Sequence, residues 1–314
     1  MAHAVESMFS VREKPWHYEM TKDVTKIIQE APTSEEALVA AGLDWTIEGK
    51  PVYDAHGNEI KGYTANTRSS DDKVLGIVGS RYKVVQNAEA FEFTDSLIGD
   101  GVRYETAGSL WGGKKIWLLA KLPDRYIAGD KTEPYVCFTN THDGTGAVRV
   151  CMTPVRVVCN NTLNFALESA KRSWSAVHRG NVGAKLEEAR ETLQLADKYM
   201  IQLDEEADRL ANEKLTEGQM IKAVEALVPI DEKATERQKK TALNAREQII
   251  ACTLAPDLVK FLNTKWGFVN AVSDYVGHSE PARHTANYDE NRWSYIITGH
   301  PLLDKAFELM GARK

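Results

Sequence analysis

His142 and Asp143 are adjacent in "THDGTG", residues 141–146. An imidazole beside a carboxylate can move protons or begin a metal site. A two-metal nuclease would need a second acidic cluster at helix or strand spacing, and none completes this pair. The competing reading is a tight hairpin with Asp143-Gly144 as its turn and His142 exposed. "SLWGGKKIW" joins Trp111 to Lys114 and Lys115 across two glycines. A hairpin tip showing an aromatic ring and two cations suits base stacking and phosphate pairing; the alternative is an ordinary hairpin with Trp111 and Trp117 packed inward. The glycine pair is no nucleotide-triphosphate loop, because no Lys-Ser/Thr completes the Walker pattern. That excludes an NTPase.

More cations are set among apolar residues. "RYKVVQN" places Arg81 and Lys83 on one face of an expected strand. Arg149 and Arg156 fall at opposite parity in one extended segment, which Pro154 is expected to interrupt. Arg156 sits inside "TPVRVVC", where a guanidinium must either pair with a carboxylate or face a groove that holds an anion. Asn160, Asn161 and Thr162 follow where a helix N-cap belongs, able to satisfy the first-turn amides. "AKRSWSAVHRG" adds Lys171, Arg172, Trp174, His178 and Arg179 near an expected helix C-terminus, where cations also complement the helix dipole.

The elements that must carry these groups follow from periodicity. "TSEEALVAAGLDW" reads as a short helix, and "YDAHGNEIKGY" as a hairpin about its His-Gly-Asn turn. "KVLGIVGSRYKVV" gives two β-branched runs broken at Gly79-Ser80, and "NAEAFEFTDSLIGDG" switches to helical spacing. Residues 102–159, rich in Val, Tyr, Trp and Ile and punctuated by "WGGKK" and "HDGTG", predict four or five antiparallel strands. "NNTLNFALESAKRSW" predicts a helix. Charged helices follow from about residue 183, one starting at Thr216-Glu217, another over "TALNAREQIIACTL", with Pro256 ending it or starting a new one. The fold class expected is α+β: a central antiparallel sheet with packed helices, followed by a mostly helical C-terminal part. Its stretches are an N-terminal segment 1–60, a β-rich core domain with a basic surface 61–182, and a helical region 183–314.

The 314 residues, 43% of them hydrophobic, can fill a core without staples. Cys137, Cys151, Cys159 and Cys252 form no CxxC pair and no zinc spacing. With no hydrophobic segment at the start and no apolar run near the roughly 20 residues of a membrane span, a reduced, cytoplasmic protein that does not cross a membrane is expected. The net charge of −6 opposes nucleic-acid binding at first sight. Its distribution does not: between Lys61 and Asn181, 16 Lys and Arg face 12 Asp and Glu, so this stretch carries +4 and the rest −10. A basic middle between acidic flanks hints at an anionic partner.

Taken together, "PWH" at 15–17, "YKVVQNAEAFEF" at 82–93, "ETAGSLWGGKKIWLLAKLP" at 105–123, "TNTHDGTGAV" at 139–148, "TPVRVVCNNTLNFAL" at 153–167 and "YDENRWSYIITGHPLLDKAFEL" at 288–309 resemble the phage/plasmid-like proteins grouped as a domain of unknown function. More distantly, the order helix, antiparallel strands, helix with a basic end is similar to the core of ring-forming single-strand annealing recombinases. That resemblance implies a non-enzymatic protein, without cofactor or metal, that binds single-stranded DNA and promotes annealing as a homo-oligomeric ring or filament, in the host cytoplasm if phage-encoded. Arg81, Lys83, Lys114, Lys115, Arg149, Arg156, Lys171 and Arg172 would then hold phosphates, Trp111 or Trp174 would stack bases, and Asn160 and Asn161 would lend amide donors. A host or phage single-strand-binding protein is a possible further partner. The alternative from another class is a phage interaction protein that binds a host factor through its acidic helical half, in counter-defence or regulation.

Overall fold

The computed structural model describes residues 5–11, 25–30, 32–98, 103–156, 161–162, 173–180, 188, 196–279 and 299–311. The chain divides into two compact units. The first takes residues 1–123, 135–152 and 172–194; the second takes 124–134, 153–171 and 195–314.

The first unit is built on a sheet ordered β12–β10–β9–β7–β6–β1–β2. Its strands are β1 (Val5–Ser10), β2 (Thr25–Ile27), β6 (Arg103–Leu110), β7 (Lys115–Lys121), β9 (Asp130–Thr141), β10 (Val148–Arg156) and β12 (Ser173–Ala176). β1 and β2 run parallel, while β6 pairs antiparallel with β1 and with β7, and β7 with β9. The central strand β7 reads Ile-Trp-Leu-Leu-Ala and is buried at each of these positions. A continuous apolar run suits a strand covered on both faces, where each large side chain stabilises by about 1.5–3 kcal/mol. Against it lie α1 (Ser34–Ala40) and α2 (Asn87–Ile98), which touch each other and reach β6 and β7 respectively. α1 starts at a capping box: Thr33 is the N-cap and its backbone amide donates to the Glu36 carboxylate. The core joins Phe9, Leu43, Tyr104, Ile116, Leu118, Phe138 and Val150.

A second, three-stranded antiparallel sheet in this unit holds β3 (Ile47–Tyr53), β4 (Glu59–Arg68) and β5 (Val74–Gly79). The hairpin read from His-Gly-Asn joins β3 to β4: Asp54 Oδ1 accepts from the His56 and Asn58 amides, and Gly57 takes φ 83°. Both predicted glycine turns are also present, "WGGKK" between β6 and β7 and "HDGTG" between β9 and β10.

The second unit contains β8 (Arg125–Ile127), paired with the start of β9, and the antiparallel pairing of the end of β10 with β11 (Asn161–Thr162). Its helices are α3 (Ala196–Asn212), α4 (Glu217–Leu227), α5 (Glu236–Cys252), a 3-10 turn (Pro256–Phe261), α6 (Lys265–His278) and α7 (Pro301–Leu309). α6 is the hub, with Trp266, Phe268, Val269, Ala271 and Val272 buried, and it touches α3, α5, α7 and the 3-10 turn. Thr216 and Thr235 cap α4 and α5, each in a reciprocal box with a Gln three residues on. The molecule is thus α+β, as read, with its helices mostly in the C-terminal part. Among the described residues no helix is long and apolar enough to cross a membrane.

Four local expectations are corrected. Arg81 and Lys83 are not on a strand: β5 ends at Gly79, and residues 80–86 form a turn and an extended connection to α2. β10 continues through Pro154, because proline forfeits only one amide donor and the pairings change partner around it, from β12 at residues 148–151 to β11 at 155–156. Asn161 and Thr162, read as a helix start, are strand residues opposite Arg156 and Val155, and the helix read after them falls at 163–172, outside the described residues. Trp174, expected at a helix end, is on β12 opposite Val150. The run from residue 173 alternates exposed and half-buried positions, a period of two that the helical reading overlooked.

Candidate functional site

Four short segments of the first unit converge on one cleft of about 980 Å³. It is lined by the β4–β5 hairpin at Gly62, Tyr63, Ile77 and Gly79, by Arg81 and Tyr82 after β5, by Asp143–Ala147 and Arg149, and by Val177, His178 and Arg179 after β12. Each segment is tied to its neighbours by backbone chemistry.

The connection after β5 is fixed from both ends. The Ser80 amide donates to the Gly62 carbonyl at 2.9 Å, the Tyr82 hydroxyl donates to the Thr141 carbonyl at 2.5 Å, and the Asn140 side-chain amide donates to the Val85 carbonyl at 3.0 Å. The Lys83 amide donates to the His178 carbonyl at 3.0 Å, while His178 Nδ1 lies 2.8 Å from the Lys83 carbonyl. Because a carbonyl only accepts, Nδ1 carries the proton and Nε2 is left as a buried acceptor with no hydrogen-bond partner among the described residues. Burial holds the His178 imidazole below the ordinary histidine range, against the opposing effect of the Lys83 carbonyl.

The β9–β10 turn is equally constrained. Asp143 Oδ1 accepts from the Thr145 amide at 2.9 Å and from its hydroxyl at 2.7 Å. Gly76 permits β5 to pass against this loop: a Cβ there would meet the Asp143 Cα at 2.5 Å. His142, expected to be exposed, is fully buried. Its Nε2 lies 3.1 Å from Asn87 Oδ1, its amide donates to the Lys114 carbonyl, and its carbonyl accepts from Asn66. Burial, with the nearby His178, pushes its pKa down to about 3 although Asp143 pulls the other way. A neutral, enclosed imidazole is a core residue and no general base for an outside substrate.

Among the described residues the cleft is thus lined by three arginines, Arg81, Arg149 and Arg179, and by one carboxylate, Asp143. All three arginines are exposed. Arg81 and Arg149 are among the phosphate-holding candidates the sequence marks; Arg179 reads there as a cation at a helix end. Lys83 is exposed beside the cleft but does not line it. Trp111, Lys114 and Lys115 are elsewhere, at the β6–β7 turn. There Trp111 is half-buried with Lys115 Nζ 5.7 Å from its ring centre, Trp117 is fully buried, and the turn lies near Lys73, whose Nζ a Cβ on Gly112 would meet at 2.0 Å. Lys114 is exposed at that tip. Trp174 is half-buried against the core. The Asn160, Lys171 and Arg172 positions and the side chains of Arg156 and Asn161 lie outside the described residues. Tyr63, Ile77 and Tyr82 went unrecognised as site residues. Only the apolar exposure of the β4–β5 face marks Tyr63 and Ile77, and single-strand alternation cannot say which face a second sheet leaves open.

Residues 74–295 match the family model described as a domain of unknown function, DUF932. The match spans more than half of the sequence, and the chain belongs to that family. No curated protein and no solved structure matches it.

Proposed function

We propose that this protein, encoded by a phage or other mobile element, binds single-stranded DNA and promotes strand annealing in recombination, without nucleotide hydrolysis and as a homo-oligomer. The observation that carries the reading is the cleft of the first unit, lined by the exposed Arg81, Arg149 and Arg179 and, among the described residues, by one carboxylate, Asp143. Guanidinium groups pair with phosphate in two-pronged geometry, and such contacts supply most of the affinity for a nucleic-acid backbone. The fixed walls of the cleft support it further, since a preformed site loses less freedom on binding. Annealing and assembly rest on the resemblance to ring-forming recombinases. A strand titrated against the protein at rising salt tests the reading. Binding should weaken steeply with salt, and substitution of Arg81 and Arg149 should reduce the slope.

A second reading, a host-factor binder acting through the helical unit, draws on Leu254 and Val259. They stand 71% and 67% exposed on either side of buried Leu258. Absence of strand binding at low salt would favour it over the first.

A further inference from the structure

Tyr63 lies directly opposite Gly79 in the β4–β5 pair. Opposed residues of an antiparallel pair project from one face with Cβ atoms about 5 Å apart. Glycine at position 79 therefore leaves the tyrosine ring with no side chain across from it. The floor beside the ring is open: a Cβ built on Gly79 would come no nearer to other atoms than 4.0 Å, at the Gly62 carbonyl oxygen. Two residues before Gly79, on the same face, comes Ile77, the diagonal neighbour of Tyr63. Tyr63 is 55% exposed and Ile77 57%.

Singly exposed apolar side chains are ordinary on a protein surface. These two differ because they line the same cleft as the three arginines. An aromatic ring, an aliphatic wall and a bare glycine floor make a flat apolar recess. The arginines lining the same cleft offer a cationic, anion-binding subsite. A ligand that satisfies both halves is planar and apolar on its faces and carries phosphate, which describes a nucleotide. In a duplex the faces of each base are already stacked on neighbours, so a side chain gains a base face only when the base is unpaired or turned out. A volume of about 980 Å³ suits a ligand of that size.

We propose that the cleft is a nucleotide slot: one unpaired base lies against Tyr63 on the Gly79 floor beside Ile77, and its flanking phosphates pair with Arg81 and Arg149. The proposal rests on the nucleic-acid reading above and sharpens it, because it makes base contact, and not backbone charge alone, the source of selectivity for single strands. Every base has a π-face, so the slot is tolerant of sequence.

The test uses the full chain and fluorescence anisotropy with three probes: a labelled single strand, the same strand bearing abasic sites, and a free mononucleotide as competitor. Wild type is compared with Tyr63→Ala, Tyr63→Phe and Arg149→Ala, with thermal melting to confirm folding. Tyr63→Ala should weaken binding of the intact strand about 5- to 100-fold, the span expected for one lost base stack, and leave the salt slope unchanged. Tyr63→Phe should restore binding. The abasic strand should bind wild type weakly and be indifferent to Tyr63→Ala. Arg149→Ala should instead lower the salt slope by about 1. Wild-type protein that binds intact and abasic strands equally well, with Tyr63→Ala unchanged, overturns the slot and leaves backbone binding standing. No wild-type binding to any strand at low salt overturns the nucleic-acid reading and the slot with it. A mononucleotide that displaces the strand as effectively, site for site, as another strand supports the slot and overturns the strand-binding function.

Discussion

Tyr82 and His178 lie ring on ring, with centroids 4.5 Å apart and planes 15° from parallel, and each is held from its polar edge by a backbone carbonyl, Thr141 for the phenol and Lys83 for the imidazole. The stack ties the connection after β5 to the end of β12 and so sets the wall of the arginine cleft. Tyr82→Phe removes only the hydroxyl bond and should cost about 0.5–1.5 kcal/mol. His178→Ala removes the stack, worth about 0.5–1.5 kcal/mol, together with the hydrogen bond, and should cost more than Tyr82→Phe. Urea unfolding midpoints check both; a larger loss for Tyr82→Phe would contradict the arrangement.

Acid should destabilise the first unit through its histidines. His142 has a folded pKa of about 3 against an ordinary 6.5, so the unfolded chain takes up a proton that the folded chain refuses. The neutral side chain's contribution is fully present above pH 6.5 and is lost as the pH falls toward 3, at a rate of up to about 1.4 kcal/mol per pH unit. His178, also held down by burial, acts in the same direction. Denaturation midpoints measured from pH 7 to pH 4 should fall steeply, and His142→Gln should flatten the profile at the expense of stability at neutral pH. A wild-type profile without slope below pH 6.5 would show that His142 titrates normally.

Gly108 and Gly76 are each required by space. A Cβ on Gly108 would lie 2.3 Å from the Ser7 carbonyl oxygen, 2.5 Å from the buried Trp117 ring and 2.6 Å from the Met8 Cβ. All three of these neighbours are backbone or core and cannot yield cheaply, so Gly108→Ala should cost about 1–3 kcal/mol or more. Gly76→Ala presses on the Asp143 backbone instead and should distort the cleft loop, lowering strand affinity more than Gly108→Ala does at temperatures where both variants are folded. Melting temperatures and anisotropy on the two variants separate the effects.

Arg68 joins β4 to β1. It bonds both oxygens of Glu6 and both of Asp71 while its guanidinium lies 5.5 Å from the Trp45 ring centre, and the side chain is 11% exposed. Arg68→Ala removes the pairing of Glu6 and Asp71, both of them partly exposed, together with the packing on Trp45, and should lower the unfolding midpoint. Arg68→Lys cannot reproduce the forked pairing and should recover only part of that loss. Full recovery by lysine in an unfolding titration would reduce the interaction to simple charge.

Much of this fold is legible from local pattern. The turns at His56-Gly57-Asn58, Trp111-Gly112-Gly113 and Asp143-Gly144 carry the glycines their backbones need, and the helix starts at Thr216 and at α1 carry capping residues. The misreadings share a physical origin. Ser173–Ala176 and Asn161–Thr162 are strands because β10 offers them a hydrogen-bonding edge, a tertiary circumstance that overrides weak local preference. His142 is buried because Trp45, Asn66 and Asn87, all distant in sequence, enclose it. The cleft was half legible. Arg81 and Arg149 stand out as charges beside β-rich runs, but Tyr63, Ile77 and Arg179 reach them only through the second sheet and β12, which no single stretch of sequence announces.

The most direct measurement is an anisotropy titration of a labelled single strand of about 40 nucleotides, long enough to span several sites of roughly 4–16 nucleotides, at a series of salt concentrations. Wild type is compared with Arg81→Ala/Arg149→Ala and with Lys114→Ala/Lys115→Ala. We expect salt-sensitive binding by wild type, a strong loss with a slope reduced by about 2 in the arginine pair, and a smaller loss in the lysine pair, whose turn does not line the cleft. Undiminished binding by the arginine pair, or none by wild type at low salt, would contradict a nucleic-acid role for the cleft.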